Sequence, residues 1–446
     1  MAKIDNVQNV SISTSRGITS VGNIENVVTD NSQFTEERRP SSRIDSHDRV
    51  ATDKAEERER QGSNDSMPRS KESRVSVDLN DAPLYNHQYT GGEPGRSVDL
   101  QILVSEEQQN GQTVLSYELR AADPSLGLNF ASYGPVFLRC DPFRYFTDLI
   151  CKIEGLASPD ATKRVVAEKQ LDAIGAQLGD QLLPTELTRV LWSLRERVKT
   201  IQILSDEPWI PWELLRLRSP EDGILAPFLG ESFAITRWLR GVPECFSLPM
   251  NRVALVAPEV PELRNAVGEC EFIMSLGSER RTVSRIEARY IRVVEALASG
   301  GYDGWHFIGH GISKGNNPSQ WALQLEAFEE LSQRDLHGEA RRLGGARPLV
   351  FLNGCRTGRG AQSLTGIGGW AQEFLVAGAG AFVGSHWAVP DSEARAFAEA
   401  FYRFFISGMP GGEAARRARC EIRESFPGSP TWLAYTVFAH PLASCS

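Results

Sequence analysis

Two short apolar runs constrain this chain more than any other part of it: YDGWHFIGHG at 302–311 and PLVFLNGCRTG at 348–358. Each is rich in β-forming residues, each is broken by glycine, and each ends on a reactive side chain, His310 in the first and Cys355 in the second. Apolar runs this short read as parallel strands buried on both faces. They belong to a regular alternation that starts at 251. RVALVAP, RTVSRI, DGWHFIG, PLVFLNG, GAFVGSH and TWLAYTVFA read as six strands, and helical periodicity fills the stretches between them, as in ELRNAVGECEFIMSLG and SEARAFAEAFYRFFI. That order specifies an α/β fold with a mostly parallel sheet covered by helices on both faces. Ligands collect at the carboxyl edge of such a sheet. A histidine and a cysteine delivered there from neighbouring strands are a nucleophile and a proton carrier, the pair that thiol-based acyl transfer needs.

Other histidines carry less. His306 lies inside its strand and reads as structural, bracing the neighbouring strand or His310, while His386 and His440 are single strand-end histidines. No GxxxxGK[ST] sequence is present, which removes phosphate-loop chemistry.

The region before 251 divides in three. Residues 1–30 repeat NVQNV at 6–10 as NIENV at 23–27, with low charge and β-branched residues among asparagines. Stacked cross-β assemblies use such patterns, because identical residues from successive chains lie over one another. The segment is similar to short amyloid-type signalling motifs on bacterial immune effectors. From 35 to 84 there is no Phe, Trp or Tyr, and 36–74 holds ten acidic and ten basic residues. So little apolar surface cannot offset chain entropy, so 31–96 reads as a disordered linker. Order resumes at SVDLQILVSEEQQNGQTVLSYELRAA, a hairpin signal around Asn110-Gly111. Helical patterns follow in RYFTDLICKIEGL, KRVVAEKQLDAIGAQLGDQLL and TELTRVLWSLRERV, then a strand in TIQILSD. Trp209 and Trp212 read as packing. Residues 97–245 therefore form a smaller accessory α/β domain and 246–446 the domain carrying the chemistry.

Composition excludes several classes. With 446 residues, 41% hydrophobic, the chain can build two modest cores. A net charge of −9 opposes non-specific nucleic-acid binding. The seven cysteines show no CxxC spacing, so neither a zinc site nor a disulfide frame is expected, and no cofactor motif is present. The start MAKIDNVQNVSISTS lacks the regions of a signal peptide, and no apolar window approaches the length of a membrane span. A cytoplasmic location without membrane insertion is the expectation.

The order of motifs resembles the caspase and hemoglobinase fold and, more narrowly, the CHAT-domain family of caspase-like proteases related to separase. HFIGHG at 306–311, LSQRDLHGEARRL at 331–343, LVFLNGCRTG at 349–358, GGWAQEFLVAGAGAFVGSHWAVPDSEA at 368–394 and IPWELL at 210–215 carry the resemblance, over about 200–440. It implies Cys355 as nucleophile, His310 as proton carrier, and an oxyanion site made by the backbone N–H groups of Gly311 and Cys355. It also implies substrate contacts. Asn353 stands two before Cys355, where some relatives carry an acidic pocket residue. Where separase has W-D-V-T-D, this chain has Trp387, Ala388, Val389, Pro390 and Asp391. Asp391 is either the anion for a basic side chain before the scissile bond or a cap on the helix that begins at Ser392. Two function classes follow: a cysteine endopeptidase acting on a protein substrate in bacterial defence or cell death, or a catalytically silent scaffold that assembles through its tail. In either, residues 1–30 would meet a sensor or activator, or copies of the chain itself.

Overall fold

The computed structural model describes residues 97–446 except 159, 206, 208, 260–263, 314–320, 338–342 and 355–366. The motif expected at 1–30, the linker at 31–96 and Cys355 lie outside the described residues.

The described chain opens on the expected hairpin. β1 (Leu100–Gln109) and β2 (Gln112–Ala121) pair antiparallel across Asn110 and Gly111, at φ 51° and 78°. Two left-handed residues in succession are what a tight type I′ turn requires. β3 (Asn129–Phe137) adds to β2, and α1 (Pro142–Glu154), α2 (Ala161–Leu182) and α3 (Thr185–Leu194) follow. β4 (Thr200–Ser205) returns beside β1; β5 (Arg216–Arg218) and β6 (Leu225–Phe228) form a small hairpin; α4 (Leu229–Ser232) leads into β7 (Ala234–Trp238).

The second half runs β8 (Arg252–Val256), α5 (Ala266–Ser275), β9 (Thr282–Ile286), α6 (Tyr290–Ser299) and β10 (Gly304–Gly309). A three-stranded antiparallel sheet then intervenes, formed by β11 (Gly311–Ser313), β12 (Trp321–Gln324) and β13 (Glu330–Ser332). β14 (Leu349–Gly354), α7 (Ile367–Val376), β15 (Ala381–Ser385), α8 (Asp391–Ile406), α9 (Gly411–Ser425) and β16 (Tyr435–Phe438) complete it. All six strands read from the sequence are present.

They do not form a sheet of their own. One eleven-stranded sheet runs β3-β2-β1-β4-β7-β16-β15-β14-β10-β8-β9, so the boundary expected at 245/246 does not separate two sheets. The join is β16, parallel to β7 on one side and antiparallel to β15 on the other. The sheet therefore holds two parallel blocks of opposite direction, and the carboxyl edge of one block is the amino edge of the other. The described residues from 97 onward fall in one compact unit.

Pleating assigns the two faces. Trp305 and Phe307 of β10 join a core with Val293 and Leu297 of α6 and Trp370 and Phe374 of α7. Ile308 and Phe351 face the opposite core, with Ile273 of α5, Phe401 of α8 and Ile422 of α9. Burial on both faces explains why these strands read as continuous apolar runs instead of alternating ones.

Candidate active site

Parallel pairing of β10 with β14 sets Gly309 opposite Gly354. The next residues are His310 and Cys355. Gly309, just before His310, thus stands level with Gly354, just before Cys355, at the carboxyl edge of the second block. A Cβ built on Gly354 would lie 3.7 Å from the Gly309 carbonyl and 3.9 Å from the Gly311 nitrogen, so three glycines bring the backbone close together here. His310 is half-buried, and its carbonyl accepts from the Gln324 N–H at 2.9 Å.

Beneath this edge lies a polar network in an otherwise apolar core. Glu269 of α5 accepts with one oxygen, Oε1, from His306 Nε2 at 2.8 Å and Asn353 Nδ2 at 2.6 Å. Tyr402 of α8 lies 3.1 Å from His306 Nδ1, and Tyr435 of β16 donates to Asn353 Oδ1 at 2.6 Å. Burial, and then the Glu269 charge, hold the Tyr402 phenol well above its usual range, so it stays protonated and donates to Nδ1. The fitting tautomer of His306 has its hydrogen on Nε2, facing Glu269. His306 is buried, its ring nitrogens meet the two helices, and its ring packs on Phe351 of the neighbouring strand β14 at 5.0 Å between centroids.

The same contacts take up the Asn353 side chain within the core. Its side chain is 1% exposed, and both ends of the amide are used internally, with the Ala394 carbonyl taking a further bond at 3.2 Å. Trp387 is likewise fully buried in the core beneath the sheet. Asp391 does not cap α8. It is that helix's first residue, after Pro390, and its Oδ2 accepts instead from the Asn265 N–H at the start of α5, at 2.6 Å. Its Oδ1 is buried without a partner among the described residues.

The segment between β15 and α8 is held from the first half of the chain. Glu154, at the end of α1, accepts from the Ala388 N–H at 2.8 Å, and the His386 N–H donates to the Ala434 carbonyl at 2.7 Å. His386 Nε2 lies 3.8 Å from Glu213 of the IPWELL segment, and Glu213 also meets Arg419 of α9 at 3.4 Å. Burial, reinforced by Arg237 and Arg419, keeps His386 well below the ordinary imidazole range. His440 is pushed down to about 4 by burial. Neither is placed as a proton carrier. Glu269, Tyr402, Glu213 and Arg419 escape sequence reading because an acidic, phenolic or basic residue on a helix ordinarily reads as its wet face.

GISKG at 311–315 has the G-x-S-x-G spacing of a serine hydrolase elbow. Its serine lies in β11, opposite Trp321 in an antiparallel pair, and not at the strand-to-helix turn such a nucleophile requires. Among the described residues no group of three or more His, Cys, Asp or Glu could hold a metal, and no helix is long and apolar enough to cross a membrane.

The family model described as CHAT domain matches residues 172–438, more than half of the chain. The protein belongs to the CHAT domain family. The match begins within α2, so the CHAT domain takes in β4 to β7 as well as the six strands after 251. No curated protein matches by sequence. Among solved structures, the separase–securin complex of Saccharomyces cerevisiae is similar at 11% identity and a TM-score of 0.45, over 76% of this chain and 30% of that one. The Arg-specific cysteine proteinase gingipain R is similar at 12% identity and a TM-score of 0.37, over 68% of this chain and 75% of that one. This CHAT domain protein thus spans under a third of the separase chain.

Proposed function

We propose that this protein is a cysteine endopeptidase in which Cys355 attacks the scissile carbonyl and His310 carries the proton to the departing amine. One observation supports the reading above the rest: Gly309 and Gly354 stand opposite each other, so the residues that follow them leave adjacent strands at one edge. The N–H groups of Gly311 and Cys355 supply the oxyanion site. Asp391 receives a basic side chain before the scissile bond, its unpartnered buried Oδ1 being the acceptor. In the cell the enzyme is a cytoplasmic effector of defence or cell death, recruited through residues 1–30 to a sensor or to copies of itself.

Labelling by peptide acyloxymethyl ketones ending in Arg, Lys, Asp or Leu tests the chemistry and the pocket together. Wild-type protein should be labelled at Cys355, fastest by the Arg or Lys probe, and Cys355→Ala should not be labelled. Absence of labelling by all four probes would leave a docking scaffold as the reading.

A further inference from the structure

Strand β11 presents a row of backbone groups that no other described strand takes up. Opposed residues in an antiparallel pair alternate between exchanging hydrogen bonds and pointing theirs away. The Gln324 N–H donates to the His310 carbonyl, which makes His310 and Gln324 a bonded pair. Register then makes Ile312 and Ala322 the next bonded pair, and sets Gly311 opposite Leu323 and Ser313 opposite Trp321 between them. The N–H and C=O of Gly311 and of Ser313 are therefore directed away from β12. The small sheet ends on β11, so no described strand takes up that edge. A Cβ at Gly311 would meet nothing within 4 Å, so among the described residues the edge has room for a second backbone where it begins.

An edge of this kind binds extended peptide by strand addition, with alternate residues of the guest exchanging hydrogen bonds with alternate residues of the host. β11 starts at Gly311, directly after His310, the group that serves the departing amine, and runs away from it. The geometry points to β11 as the binding strand for the leaving half of an extended protein substrate. Gly311 C=O, Ser313 N–H and Ser313 C=O are its partners, while Gly311 N–H remains for the oxyanion. This rests on the endopeptidase reading and adds a substrate class to it: chains that continue in extended form beyond the cut, in preference to acyl groups or peptides that end there.

The test compares two substrates with one sequence before the cut, chosen from the best ketone probe. One is a quenched peptide that continues beyond the bond, and the other ends there in aminomethylcoumarin. Wild-type enzyme should turn over the extended substrate with the higher kcat/KM. N-methylation of successive amides in the leaving half should alternate, a sensitive position losing about tenfold, as expected for one or two hydrogen bonds, and its neighbour little. Ser313→Pro removes an N–H that β12 does not use, and should lower kcat/KM about tenfold more for the extended substrate than for the coumarin one. A methylation scan without alternation, or an equal loss on both substrates, would overturn the inference. The scan uses wild-type protein, so it decides even where the proline variant fails to fold. Wild-type protein that cleaves neither substrate would overturn the endopeptidase reading and this inference with it.

Discussion

Glu269 shows how one buried side chain can serve the site without reaching it. A single oxygen of its carboxylate ties His306, four residues before His310, to Asn353, two residues before Cys355. The two strands that precede the proposed dyad are thus joined side chain to side chain as well as by their ladder. Removing one member of a buried polar network costs more than the network contributes, because the partners lose their acceptor while still out of water. Glu269→Ala should cost about 3 to 5 kcal/mol in urea unfolding. Glu269→Gln keeps an acceptor and the volume and should cost about 1 to 2 kcal/mol. An alanine variant within about 1 kcal/mol of wild type would mean that water satisfies His306 and Asn353.

Elements were the most legible level of this chain, and their partners the least. The Asn-Gly hairpin, the six strands after 251 and the helices around them follow from local pattern, and the register of β10 on β14 agrees with two runs that end on Gly-His and Gly-Cys. Helix α2 shows what local pattern omits. It packs against the segment 212–216 through two glycines one turn apart. A Cβ on Gly175 would come within 2.5 Å of the Leu214 carbonyl, and one on Gly179 would overlap the Arg216 carbonyl. Both neighbours are backbone and cannot swing aside. Gly179→Ala would raise intrinsic helix propensity, yet it should destabilise the fold by about 1 to 3 kcal/mol in thermal or urea unfolding, because overpacking outweighs propensity. A stabilised variant would show that α2 can lift off its neighbour. No periodicity in 161–182 marks these glycines as contact points. The same holds for Glu154, whose partner Ala388 is more than two hundred residues away.

At the scale of the whole molecule the sequence suggests two domains, and the structure joins them through β16. That strand is apolar on both faces and would be an edge if the chain began at 246. β7 covers it, with Phe438 opposite Arg237 and the Ala439 N–H donating to the Arg237 carbonyl at 3.0 Å. The first half also supplies Glu213 to Arg419 and His386, and Glu154 to the segment that carries Trp387 and Asp391. A fragment of residues 246–446 would therefore expose an unpaired, apolar strand edge and leave the Arg419 guanidinium without its carboxylate. We expect that fragment to aggregate or to bind a hydrophobic dye without fixed tertiary packing, and to react with no ketone probe. Residues 97–446 should unfold in one urea transition, with tryptophan fluorescence and far-ultraviolet dichroism coinciding, and should retain Cys355 labelling. A soluble, cooperatively folded 246–446 fragment that labels like the longer chain would show that the block of six strands is self-sufficient, and that the shared sheet is an attachment and not a condition of the site.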